Sequence, residues 1–319
     1  MSVPVIDFSG YSDRDPASLR KLADSVDQAL SSYGFIAVTG IGISAQLKRQ
    51  VFDSAQEFFA NPIAHKLEYA YTDPIANFGY QAPLSETLQP GRPADLKEAF
   101  TMRNLMASYT RNNAWPSPLF RDTAREFFEA CRMAADRILK VFAVALDTSP
   151  EFFISKHSGE NITMRYLHYP SAGFAVDGDA QMGAGAHTDY GSITLLFQDA
   201  MGGLQLRRAD GSWMDVAPLE GAVNINTGDL MCHWSNGRYP STEHRVLPRI
   251  GHGDRYSIAY FTDPDNSTLV QCLPSCVSAN RPAAFTDMTA GQHIQSKIDA
   301  SQSPEAAGLS FTKKAGEGR

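Results

Sequence analysis

The sequence predicts an α+β protein, helical in its first half and folded into a closed barrel or double-sheet jelly roll in its second. Two observations carry that reading. Apolar residues recur at helical spacing in long segments before Leu146, and after Ile162 the period of the pattern changes from helical to two.

Residues 3–8 (VPVIDF) form a short apolar strand. Residues 15–31 form a helix: Asp15 is placed to cap it, Pro16 suits its first turn, and Leu19, Leu22, Ala23, Val26 and Leu30 share one face. Residues 33–40 (YGFIAVTG) form a strand closed by glycine, and residues 44–59 a second amphipathic helix ended by Asn61 and Pro62. Between residues 70 and 113 periodicity fails, as expected of long loops over a site or around a core. Residues 117–146 form the longest helix, preceded by Pro116 and closed by Asp147 and Pro150. TMRYLHYP, SITLLFQD, GLQLRR, WMDVAP, AVNINTGDLMCHW, HRVLPRI and RYSIAYFTDP are then strand-like runs separated by Gly, Pro, Asp and Asn. From residue 287 the chain is polar, a frayed helix followed by a loose terminus.

The length of 319 residues is enough for roughly two domains at about 150 residues each, or for one large barrel. A formal charge of -7 argues against a nucleic acid or an anionic membrane as the main partner. The four cysteines make no CxxC pair and are too sparse for a disulfide framework. The start, MSVPVIDFSG, lacks the basic and apolar regions of a signal peptide, and no apolar run reaches the roughly 20 residues that span a bilayer. The cytoplasm is the expected compartment. No charge or heptad pattern sets an oligomeric state.

Chemistry concentrates in the β half. In His187-Thr188-Asp189, strand geometry puts one imidazole and one carboxylate on the same face. His244, which begins a later strand-like run, supplies a third ligand. Two histidines and one carboxylate leave adjacent positions open on an octahedral ion, the facial arrangement of non-haem Fe(II) oxygenases. A lone HxD is common, and spacing by itself leaves zinc in a cupin-like barrel, or no metal, open. Arg255 and Ser257 share a face of RYSIAYF, and a guanidinium with a hydroxyl beside it suits a carboxylate. A surface arginine or an internal ion pair is the bland alternative.

These residues lie within a longer pattern. MRYLHYP at 164–170, GAHTDYGSITLLFQD at 185–199, GGLQL at 202–206, Trp213, VNINTGDLM at 223–231, WSNGRYPSTEHRV at 234–246 and RYSIAYF at 255–261 resemble the iron- and 2-oxoglutarate-dependent dioxygenases of the isopenicillin N synthase-like superfamily. VPVIDFSG, YGFIAVTG, Phe58 with Phe59, Gly79 with Tyr80, and DLKEAF at 95–100 resemble that family's N-terminal region. The resemblance implies a double-stranded β-helix (distorted jelly-roll) core with N-terminal helices packed against it as one catalytic unit. It divides the chain into an N-terminal region at 1–115, the dioxygenase core with its long supporting helix at 116–290, and a partly mobile tail at 291–319. It implies Fe(II) held by His187, Asp189 and His244, 2-oxoglutarate held by Arg255 and Ser257 with help from Tyr169, and O2 as oxidant. Asn226 and Arg245 would support the ligands or pack beside them, and His168 would pack in the core or the pocket wall. His233 sits beside the metal strand but at no ligand position. The implied reaction is hydroxylation or desaturation of a small organic molecule, with release of succinate and CO2.

Substrate choice in that family is set by loops before the core, by the barrel mouth and by the C-terminal segment. This directs attention to Phe78, Tyr80, Lys97, Phe100, Met102, Arg103, Phe197 and Phe261. Lys97 and Arg103 suit an anionic substrate, although Lys97 can equally pair with Asp95 or Glu98 on the surface. Three alternatives stand beside this reading: an iron-dependent oxidase that uses the Arg-x-Ser pair for a substrate carboxylate, an ethylene-forming type of enzyme, and a non-catalytic binding module on the same scaffold.

Overall fold

The computed structural model describes residues 3–73, 76–89, 91–107, 113–171, 181–249 and 251–302. The outer layer is helical: α1 (Pro16–Tyr33), α2 (Ala45–Phe59), α3 (Ile63–Lys66) and α4 (Pro118–Ala145), with α5 (Asp229–Trp234) and α6 (Ala290–Gln302) later in the chain. The starts of the three long helices α1, α2 and α4 are built by local side-chain bonds. Asp15 accepts from the N–H groups of Ala17 and Ser18, Ser44 from Leu47, and Ser117 from Phe120, each satisfying donors that an opening helix leaves free. At the end of α1, Gly34 turns into the left-handed region at φ 61, and a Cβ there would lie 2.0 Å from the Pro240 carbonyl oxygen. Both constraints demand glycine.

The strands are β1 (Val5–Asp7), β2 (Phe35–Thr39), β3 (Gly79–Gln81), β4 (Glu98–Arg103), β5 (Ile162–Tyr169), β6 (Ala184–His187), β7 (Ile193–Gln198), β8 (Leu204–Arg207), β9 (Trp213–Asp215), β10 (Val223–Thr227), β11 (His244–Val246) and β12 (Arg255–Thr262). They form an eight-stranded sheet in the order β1-β2-β10-β7-β12-β5-β4-β3 and a four-stranded sheet in the order β6-β11-β8-β9. This is the expected jelly-roll core with helices packed against it. Strands from the first hundred residues thus extend the same sheet that the later ones build.

Two apolar clusters hold the layers together. On the outer face of the large sheet, Met164, Tyr166, Leu195, Ile258 and Tyr260 pack against Leu30, Val51, Phe128 and Leu139 of α1, α2 and α4. Between the sheets a smaller cluster joins Leu204, Leu206, Met214 and Val246 to Ala99, Leu167 and Ala259. No helix among the described residues is long and apolar enough to cross a membrane.

The sequence reading and the structure differ at two places. Residues 70–113, read as loop, contain β3 and β4; β4 is buried along nearly all its length, and the charged Lys97 and Glu98 at its start break the alternation that would mark it. The run AVNINTGDLMCHW is a strand only to Thr227; past Gly228 it becomes α5, where Leu230, Met231 and Trp234 are buried at helical spacing. The polar end begins with α6, and residues 303–319 lie outside the described residues.

Phe127 on α4 meets Phe197 on β7 at 4.9 Å between ring centroids, in a contact that clamps helix to sheet. Phe127→Ala is expected to lower the unfolding free energy by about 3–5 kcal/mol, measured by urea denaturation. A loss below about 1 kcal/mol would mean that the helix is not load-sharing with the sheet at this point.

Candidate metal centre

A cavity of about 610 Å3 lies between the sheets. Strand alternation decides what faces it. Along β12 and just beyond, Arg255, Ser257, Ala259, Phe261 and Asp263 line the cavity, while Ile258 and Tyr260 enter the helical core. On β5, Thr163, Arg165, Leu167 and Tyr169 face inward.

His187 closes β6, Asp189 stands two residues on, and His244 opens β11 directly opposite His187 in the antiparallel ladder. The three side chains offer ligand atoms that all lie within 4.8 Å of one another. Asp189 Oδ1 is 3.9 Å from His187 Nε2 and 3.8 Å from His244 Nε2. The other carboxylate oxygen, Oδ2, accepts from Thr194 Oγ1 and Asn226 Nδ2, both at 2.6 Å. Behind each imidazole a carbonyl fixes the tautomer. His187 Nδ1 donates to Gly185 O at 2.7 Å and His244 Nδ1 to Thr242 O at 3.1 Å, which leaves both Nε2 lone pairs free to bind.

Electrostatics agree with that assignment. Burial, and then the neighbouring His244, hold His187 well below the ordinary imidazole value, so it is neutral at neutral pH. Burial pushes Asp189 up, but the two imidazoles and the Thr194 and Asn226 hydrogen bonds outweigh it and lower its pKa. Two imidazoles with their Nε2 atoms turned inward and one carboxylate, each held from behind, fit a divalent cation.

Arg255 supplies the second half of the site. Its side chain is 0% exposed and forms part of the cavity wall, stacked 4.6 Å over the ring of Tyr169. It donates to Gly202 O at 2.8 Å, to Ser257 Oγ at 3.1 Å and to Gln198 Oε1 at 3.3 Å. No carboxylate among the described residues pairs with it. A buried guanidinium with only neutral partners is an anion site. The donor set fits the distal carboxylate of 2-oxoglutarate.

The remaining expected residues divide between the two faces of the large sheet. Lys97, Arg103 and Phe261 line the cavity. Lys97 does pair with Asp95, at 2.5 Å, but inside the protein rather than on its surface, and it also reaches Glu86 at 3.2 Å. Phe78, Tyr80, Phe100, Met102 and Phe197 do not reach the cavity, because they alternate with its lining or lie beyond it. Phe78 packs on Phe100 and Trp115, and Tyr80 hydrogen-bonds Glu98 in a buried cluster with Lys66 and His168. His168 is therefore a packing residue on the outer face. His233 is buried in α5 against Phe285, away from the cavity lining. Arg245 lies over the ring of Trp213 at 4.0 Å and donates to Gln205, beside the ligand strand but off the cavity.

Several cavity residues escape the sequence reading, Thr194, Arg165, Glu86 and Asp263 among them. Glu86 lies in a stretch without periodicity and pairs with Arg165 at 2.9 Å. Asp263 was legible, since two more steps of the alternation that joins Arg255 to Ser257 lead through Phe261 to it. Burial, then the charge of Asp189, push the Asp263 carboxyl up to about 7, against the opposing pull of Arg103. Gly191 makes room for it: a Cβ at 191 would stand 1.4 Å from Asp263 Oδ1.

Comparison with known proteins gives one consistent result. Residues 159–264 match the 2OG-Fe(II) oxygenase superfamily, and residues 3–118 match the N-terminal region described as that of a non-haem dioxygenase in morphine synthesis. The chain is 36% identical to the 2-oxoglutarate-Fe(II) type oxidoreductase hxnY of Emericella nidulans, over 92% of this chain and 90% of that one. Among solved structures, a full-length Neurospora crassa protein in complex with alpha-KG (2-oxoglutarate) superposes with a TM-score of 0.84 at 31% identity, over 93% of this chain and 96% of that one. The same Neurospora crassa protein with alpha-KG and thymine gives 0.82 at 31% identity, over the same shares of the two chains.

Asn226→Ala is expected to weaken metal binding about 10–100-fold, measured by competition with a chelator; unchanged affinity would mean that the Asn226–Asp189 bond does not orient the ligand. The metal-free protein should also be acid-sensitive. Burial first of all holds His157 and His233 at about 4, from an ordinary 6.5. The unfolded chain therefore takes up protons that the folded chain refuses. Stability present above pH 6.5 is lost progressively as pH falls toward about 4. A thermal midpoint that stays flat across this window would contradict the assignment.

Proposed function

The chain belongs to the 2OG-Fe(II) oxygenase superfamily, and from that premise we propose that His187, Asp189 and His244 hold Fe(II) while Arg255 and Ser257 anchor 2-oxoglutarate for oxidation of a small organic molecule. The buried Arg255, whose partners are all neutral, carries the co-substrate assignment. Bound at this site, Fe(II) and 2-oxoglutarate supply the chemistry that couples O2 reduction and decarboxylation to succinate with oxidation of a C–H bond.

The chain's own residues bind and orient. Asp189 would offset part of the metal's charge, and Thr194 and Asn226 hold its Oδ2 so that Oδ1 is turned toward the two histidines. Gly185 and Thr242 carbonyls keep the two Nδ1 protons in place, so that Nε2 of each histidine would be the atom available to the metal. Arg255 and Ser257 grip the distal carboxylate, and the Tyr169 ring beneath the guanidinium fixes its plane. The apolar wall formed by Leu167, Leu196, Leu204 and Val246 limits water around the reacting atoms. A cavity of about 610 Å3 suits a small substrate beside the co-substrate. The thymine complex of the Neurospora crassa neighbour supports a compact polar substrate of that size.

The test is oxygen consumption and succinate formation from labelled 2-oxoglutarate with Fe(II). Asp189→Ala should abolish metal binding and turnover together. Arg255→Ala should keep the metal and raise KM for 2-oxoglutarate at least about tenfold. A chelator should stop the reaction, and added Fe(II) should restore it. No succinate from the intact enzyme, or full turnover by Asp189→Ala, would overturn the proposal.

A further inference from the structure

Apart from Arg255, most charged groups of the cavity wall are answered from within the protein. Lys97 is held by Asp95 and Glu86, Arg165 by Glu86, and Asp189 by Thr194 and Asn226. Asp263 is different. Its carboxyl borders the cavity, and no hydrogen-bond donor among the described residues reaches it. Gly191 leaves open the space in which it stands, since any Cβ there would collide with Oδ1.

Arg103 is the complementary group. It is close enough to Asp263 to act on it electrostatically, yet the two make no ion pair within 4.0 Å. Its Nε donates to Glu160 O at 3.2 Å and its Nη2 to Asn161 Oδ1, while Nη1 has no partner among the described residues. The sheet register fixes the span between the two. Arg103 pairs with Thr163, Thr163 pairs with Phe261, and Asp263 follows Phe261 two residues on. Two strand spacings separate Arg103 from β12, so backbone to backbone the gap is about 10 Å. Both side chains line the same cavity. Arg255 lies at the opposite end of β12, about 25 Å along the strand from Asp263, so the two ends of the cavity present different recognition groups.

We propose that Asp263 and Arg103 form a two-point clamp for the molecule that is oxidised, Asp263 accepting from an N–H or ammonium group and Arg103 donating to a carboxylate or carbonyl oxygen of the same molecule. The substrate is then a compact nitrogen compound, either an amino acid or a cyclic amide, which share this donor–acceptor pair. The proposal rests on the Fe(II)/2-oxoglutarate reading above and deepens it. A purely anionic substrate meets Asp263 as a repelling or unsatisfied group and is disfavoured.

The experiment uses the intact holoenzyme with Fe(II) and 2-oxoglutarate under argon. Equilibrium dialysis is run against a panel of amino acids and cyclic amides, L-proline and thymine among them. Each of these two is matched to an analogue without N–H: cyclopentanecarboxylate for proline and 1,3-dimethylthymine for thymine. At least one N–H compound should bind, its stripped analogue at least about tenfold more weakly. Asp263→Asn and Arg103→Gln should each weaken that compound by about tenfold or more, while KM for 2-oxoglutarate changes by less than about threefold. Asp263→Glu should recover part of the affinity, which a merely structural role would not give. Binding of no panel member, equal binding of an analogue without N–H, or undiminished affinity in Asp263→Asn would each overturn the clamp. Succinate formation is followed separately in air: its absence under every condition overturns the parent reading, whereas dialysis decides the clamp whichever way that assay falls.

Discussion

The hydrogen bonds from Thr194 and Asn226 to one oxygen of Asp189 are the interaction on which the site depends. Asp189 follows β6 of the small sheet, whereas Thr194 and Asn226 stand on β7 and β10 of the large one. One carboxylate therefore spans the two sheets, facing its histidine partners with one oxygen and the opposing layer with the other. His187 and His244 are neighbours by register within the small sheet and need no such tie. The separation of the sheets at this point, set by jelly-roll packing, fixes where the third ligand stands relative to the first two.

That use of the interior explains the helices. A strand has two faces, and the inward face of β4, β5 and β12, with the residues next to their ends, carries Lys97, Arg103, Arg165, Arg255, Ser257 and Asp263 beside a small apolar cluster. Polar groups there cannot hold the layers together by apolar burial. The outward face carries most of that function, with Met164, Tyr166, Ile258 and Tyr260, and such a surface needs a cover. Helices α1, α2 and α4 provide it. The first half of the chain is thus required by the chemistry of the second, although it contributes no metal ligand.

The regular elements were legible because local signals agreed with the fold: Asp15, Ser44 and Ser117 cap their helices, and the long β runs alternate. The metal ligands and the Arg255–Ser257 pair were legible because strand geometry turns i, i+2 spacing into a shared face. β4 was not, since Lys97 and Glu98 are buried charges held by partners from other segments as well as by the nearby Asp95: Glu86 for Lys97, Lys66 and His168 for Glu98. The aromatic residues expected at the pocket were misplaced by one step of the pleat. Phe100 and Phe197, like the apolar Met102, belong to the face that meets α2 and α4, and an apolar side chain carries no mark of which face it serves.

The unanswered charge of Arg255 has a consequence for the lifetime of the protein. A guanidinium walled in by neutral groups is costly until an anion arrives, so the folded chain is more stable filled than empty. Ligand that binds only the folded state adds stability in proportion to the logarithm of its concentration over Kd. An anion seated on this guanidinium, 2-oxoglutarate under the function proposed above, therefore also lengthens the time for which each copy resists unfolding and proteolysis.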